Sequence, residues 1–152
     1  MPAAEAELES RAAITALIGQ EDAAWNSGDA AAFAARALPQ IVFTNIVGMF
    51  SVGRETFEAQ HARIFATIYK GSTLKQAVVH VTFVGPDVAI VDTLAEVAGF
   101  HSLPPGVQAV DGRLRTRIEQ VVVRTDAAWW IASFHNVAIN APAIENLTPP
   151  RQ

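Results

Sequence analysis

The chain has 152 residues, 51% of them hydrophobic and 17% charged, with no cysteine and a net charge of −4. That length suits one domain, and the missing cysteines exclude disulfides, thiolate metal ligands and a cysteine nucleophile. The negative balance offers a polyanion no attraction, so nucleic acid is not an expected partner.

The opening MPAAEAELES is acidic where a secretory signal would be basic and then apolar. No apolar run approaches the roughly 18 residues of a membrane span, so a cytoplasmic protein without membrane association is expected. From Glu5 to Asn26, Leu8, Ile14, Leu17, Ile18 and Trp25 recur at helical spacing among alanines, which predicts a first helix. Gly28 is placed to stop it, and Asp29 to cap a shorter helix that Pro39 closes. The β-branched IVFTNIV predicts a strand, with Gly48 and Gly53 as turn residues after it. Phe57, His61, Ile64 and Ile68 then share one stripe of a third helix.

Beyond Gly71 the period changes to two. LKQAVVHVTFV, a Gly-Pro-Asp turn at 85–87 and VAIVDTLAEVA predict a hairpin. A loop with Pro104, Pro105 and Gly106 leads to a second hairpin, RLRTRIEQVVVR and WWIASFHNVAI. Residues 1–140 are expected to form one domain, and 141–152, with three prolines and no periodicity, a tail. Helices first and long hairpins afterwards imply an α+β fold with an antiparallel sheet.

This order, with AWNSGD at 24–29, FTNIVG at 43–48, GRETFEAQH at 53–61 and the W-x-I-A-x-F-H-N run ending at Asn136, resembles the nuclear transport factor 2-like superfamily. It is most similar to the SnoaL-like and SgcJ/EcaC-type bacterial families. The resemblance implies a cone-shaped roll, three N-terminal helices packed on a strongly curved, mostly antiparallel sheet. It further implies a small-molecule pocket and homodimers made through the outer sheet face. It does not imply one reaction, because the superfamily holds isomerases, cyclases, epoxide hydrolases, ligand-binding domains and association domains.

Candidate site residues come from the pattern. His61 puts an ionisable ring on a stripe facing the sheet, either as a satisfied core histidine or as a neutral general base or donor in the pocket. On the last strand, uninterrupted alternation turns His135 inward with Ile131 and leaves Asn136 to an edge, a partner subunit or ligand contact, unless the two are a strand-end polar pair that satisfies backbone groups. Asp92, sharing a face with Glu96, is either solvated or a raised-pKa base able to abstract a proton beside a carbonyl. Arg117 follows Arg113 and Arg115 on one face, either as surface charge or as a ligand-binding residue that pairs with Asp92 or Glu96 in the pocket and polarises a substrate oxygen. Asn45 is a rim amide or a turn former, and Trp25 and Phe57 are pocket wall or core. The only tyrosine, Tyr69, falls at the frayed end of the third helix, away from a donor role.

No metal motif, dinucleotide fingerprint or phosphate loop occurs, so neither cofactor nor metal is expected. The expected function is cofactor-independent cyclase or isomerase chemistry on a hydrophobic carbonyl compound, carried by His61, His135 and Asp92. The alternative is a non-catalytic domain that binds a small hydrophobic molecule or serves as a dimeric accessory.

Overall fold

A computed structural model describes residues 2–147 and places ten elements in chain order. Helix α1 (Pro2–Asn26) and the single turn α2 (Ala30–Phe33) precede strands β1 (Ala37–Thr44) and β2 (Phe50–Val52). Helix α3 (Arg54–Ala66) leads to β3 (Thr73–Gly85), β4 (Val88–Ala98), β5 (Arg113–Thr125) and β6 (Ala128–Ala138), with α4 (Ala141–Leu147) last. Both expected hairpins, β3–β4 and β5–β6, are present at the expected turns.

The cone-shaped roll is corrected. The sheet is neither closed nor strongly curved: its six strands run in the open order β2-β1-β6-β5-β4-β3. Closure would require β2 to bond β3, and the three-residue β2 instead ends the sheet. The sheet is also mixed, because β1 pairs parallel with β6 while its other pairings are antiparallel. Only α1 and α2 precede the first strand, and α3 crosses between β2 and β3. Pro39 lies inside β1 rather than closing a helix, and the β1–β6 register is irregular between Ala37 and Val42, where a residue without an N–H is tolerated. The expected aperiodic tail contains the short α4, while 148–152 lie outside the described residues.

One face of the sheet is buried against the helices. On β4 the alternation is strict: Ala89, Val91, Thr93, Ala95 and Val97 are buried, whereas Ile90, Asp92, Leu94 and Glu96 are half-buried on the other face. Leu114, Ile118 and Val122 of β5 and Ile131 and Phe134 of β6 continue the inner face toward Ile14, Leu17 and Ile18 of α1. Each such side chain contributes about 1.5–3 kcal/mol of burial free energy, which is what fixes this face inward.

Candidate functional site

The AWNSGD segment anchors one end of α1. Trp25 Nε1–H donates to Ser72 Oγ at 2.9 Å, and Asn26 Oδ1 accepts from the Leu74 backbone N–H at 2.7 Å, tying the helix end to the start of β3. Gly28 takes φ +67°, which a Cβ would resist, and Asp29 Oδ1 caps α2 through the Ala32 N–H at 2.9 Å. The bonds to Ser72 and Leu74 hold Trp25 against an apolar cavity of about 120 Å³ between the helices and the inner sheet face. Phe33, His61, Tyr69, Thr116 and Asn136 also line it, and the turn after β1 and the loop after β4 contribute Ile46, Val47 and Pro104.

His61 is 4% exposed, with its ring centroid 4.4 Å from Phe33 and 4.5 Å from Phe57. Its Nδ1 lies 2.7 Å from the Phe57 carbonyl oxygen. A carbonyl only accepts, so Nδ1 carries the proton and Nε2 keeps a lone pair in the neutral ring. Burial pushes the His61 pKa down to about 4, against the smaller opposing pull of that hydrogen bond. Burial likewise pushes Tyr69 up to about 12, so both rings are uncharged at neutral pH. Among the described residues, no lysine, arginine, aspartate or glutamate lines the cavity.

The inward assignment of His135 is overturned by a bulge. Val121 pairs with Ser133 but Val122 pairs with Ile131, leaving Ala132 as an extra residue in β6. Before the bulge Trp129 and Ile131 are buried; after it Phe134 turns inward and Asn136 follows it into the cavity wall. His135 is exposed on the outer face. Asn136 Oδ1 is buried with no hydrogen-bond partner among the described residues, an acceptor left for something else to satisfy.

Asp92 and Arg117 also belong to the outer face, where they border a shallow depression with Glu119 and His135. Register places Asp92 opposite Glu119 and Glu119 opposite His135. Partial burial and the facing Asp92 carboxyl hold Glu119 above the usual carboxylate range. Arg117 sits opposite Leu94 rather than an acid, and Glu96 is taken by Arg113 at 2.5 Å and Arg115 at 3.9 Å. The three expected catalytic groups are therefore split, with His61 inside and His135 and Asp92 outside.

Asn45 lines the cavity but spends its Oδ1 on the turn, accepting from Val47 N–H at 3.1 Å and Met49 N–H at 2.9 Å. Phe57 is fully buried behind His61, packed on Phe33, Phe43 and Phe134, and is core rather than cavity wall.

The sequence pattern set Tyr69 aside at a frayed helix end and did not single out Thr116 or Glu21. Tyr69 is not idle: after α3 its backbone N–H folds back to the Ile64 carbonyl at 2.9 Å, which carries the ring to the cavity. Thr116 was legible, since it alternates with Leu114 and Ile118. So was Glu21, which occupies the apolar stripe of α1 between Ile18 and Trp25 and is 3% exposed.

An α+β domain whose open sheet and helices enclose an apolar cavity belongs to the nuclear transport factor 2-like class. Within it, the SnoaL-like domain family matches residues 14–138, and the chain belongs to that family. An uncharacterized protein with a cystatin-like fold from Caulobacter vibrioides is 26% identical, with 91% of this chain and 95% of that one covered and a TM-score of 0.80. A cystatin-like domain of unknown function from Nostoc punctiforme is 28% identical over 90% of this chain and 82% of that one, at a TM-score of 0.74. A ketosteroid isomerase-like protein from Erwinia carotovora atroseptica shares the fold at 17% identity, covering 85% and 95% of the two chains with a TM-score of 0.66. No curated protein matches the chain.

Proposed function

We propose that this domain binds a neutral, largely apolar small molecule of about one ring that brings a hydrogen-bond donor into the cavity. The observation that carries the reading is the His61 ring: its Nδ1–H is spent on the Phe57 carbonyl, so the buried nitrogen left over is an acceptor. Asn136 of β6, on the sheet side of the cavity, adds a buried Oδ1 with no hydrogen-bond partner among the described residues. Size supports a single ring, because a dry apolar cavity of about 150 Å³ accepts benzene and this one measures about 120 Å³. The described wall residues carry no charge, which disfavours an anionic ligand, since it would lose its hydration without a cation among them to replace it.

A cyclase or isomerase reaction on the same ligand class would rest on His61 alone, since Asp92 and His135 lie on the opposite face of the sheet. With a pKa near 4, His61 is a weak base at neutral pH, which favours binding over proton abstraction. The fold likeness to a ketosteroid isomerase-like protein is compatible with either reading.

Phenol and toluene, titrated calorimetrically at pH 7, test the proposal. Phenol is expected to bind about 3- to 10-fold more tightly than toluene, the worth of one net hydrogen bond, and His61→Leu is expected to erase that preference. Equal affinities, or no binding of either, would overturn it. Asp92→Asn and His135→Ala are expected to leave the phenol affinity within about twofold of wild type, as side chains remote from the wall should. A tenfold loss in either would bring the outer depression back into the site.

A further inference from the structure

A second polar layer adjoins the cavity and is built from four elements. Glu21 Oε1 on α1 accepts Nε2–H bonds from Gln76 of β3 at 3.0 Å and from Gln120 of β5 at 2.7 Å. Gln76 Nε2 also donates to Asp22 Oδ1 at 3.0 Å, its backbone N–H donates to Asp22 Oδ2 at 3.0 Å, and its Oε1 accepts from Thr93 of β4 at 2.9 Å. Residues four apart on a helix or two apart on a strand share a face. One such step from Glu21, Gln76, Thr93 and Gln120 leads to Trp25, Leu74, Ala95 and Ile118, all of which line the cavity.

Two buried acceptors in this layer have no partner among the described residues, Glu21 Oε2 and Gln120 Oε1. They belong to the two side chains that the Gln120 Nε2–H to Glu21 Oε1 bond already joins. An ionised carboxylate leaves both stranded. A single proton on Oε2 would turn it into a donor and, with the Gln120 amide oxygen as its acceptor, would close a two-point pair between acid and amide. We propose that Glu21 is a buried proton-binding site, held as a neutral acid in a two-point pair with Gln120, and that loss of this proton disrupts the layer next to the cavity.

The surroundings agree. Burial raises the Glu21 pKa to about 7, against the opposing hydrogen bonds from Gln76 and Gln120, and the neighbouring Asp22 charge adds to the rise. Asp22 is the charged residue beside it on α1. The strands packed against Glu21 turn Gln76, Thr93 and Gln120 toward it and keep Lys75, Asp92, Glu96, Arg117 and Glu119 on the other face. The proposal does not depend on which ligand the cavity takes.

Glu21→Gln tests it, because a glutamine accepts and donates at the same two points without a proton. Relative to wild type, the variant is expected to gain roughly 5–10 °C in Tm between pH 5 and pH 8, as the wild type loses its pair and the variant does not. A variant that instead falls further behind wild type as pH rises would overturn the proposal. In the wild type itself, carboxyl-carbon NMR of glutamate-labelled protein is expected to show the Glu21 carboxyl half protonated near pH 7. Complete ionisation of Glu21 below pH 5.5 would overturn it as well.

Discussion

Phe57→Ala is expected to cost about 3–5 kcal/mol of stability, the range for emptying a large aromatic site in a rigid core. The ring is fully buried, with centroids 5.0 Å from Phe43, 5.6 Å from Phe134 and 5.8 Å from Phe33, so its removal opens a void that three aromatic neighbours on different elements cannot all move to fill. It also removes the apolar surface against which His61 is oriented. Urea unfolding at pH 7 measures the loss. Because Phe57 is core, the surviving folded protein should retain a phenol preference over toluene; a loss under 1 kcal/mol together with abolished phenol binding would make Phe57 a wall residue instead.

The acid side of the stability profile is expected to hold two opposed slopes. His61 has its pKa lowered from 6.5 to about 4, so as pH falls through that window the unfolded chain takes up a proton that the fold refuses. Stability is lost in that direction, by about 3 kcal/mol in all. Glu21 has its pKa raised from 4.5 to about 7, so the fold keeps a proton that the unfolded chain releases, and about 3 kcal/mol is lost as pH rises from 4.5 to 7. Asp22 and Glu119, also raised, add to the Glu21 slope, and Glu96, held low first of all by its Arg113 hydrogen bond, adds to that of His61. Between about pH 4.5 and 6.5 the two main slopes cancel, giving a wild type of nearly constant stability. His61→Phe should uncover the Glu21 slope, becoming more stable relative to its own pH 7 value as the solution is acidified toward pH 4.5. Glu21→Gln should uncover the other and weaken over the same interval. Chemical denaturation of the three proteins at half-unit pH steps decides it, and parallel profiles would refute the opposition.

Much of this molecule is legible because its causes are local. Gly28 and Asp29 stop one helix and cap the next through contacts within a few residues, and the Gly-Pro-Asp turn at 85–87 joins two strands whose period of two assigns each side chain to a face. That periodicity placed the Thr116 and Gln120 positions on the inner face of β5 and the arginines on the outer one. It also set Glu21 on the buried stripe of α1, where a charged residue type hid its significance.

The sequence by itself determined the element order, the turns, the caps and the amphipathic faces, all set by dihedral preference and short-range hydrogen bonds. Only the tertiary structure decided the parallel pairing of β1 with β6, the open sheet edge at β2, and the bulge at Ala132 that exchanges the directions of His135 and Asn136. A bulge is a mismatch between two strands, so it depends on the partner's register as much as on the bulged residues. The bond joining Glu21 to Gln120 spans 99 positions and exists because helix packing brings one buried acid against one buried amide. Periodicity says that each faces inward; only packing says that they face each other.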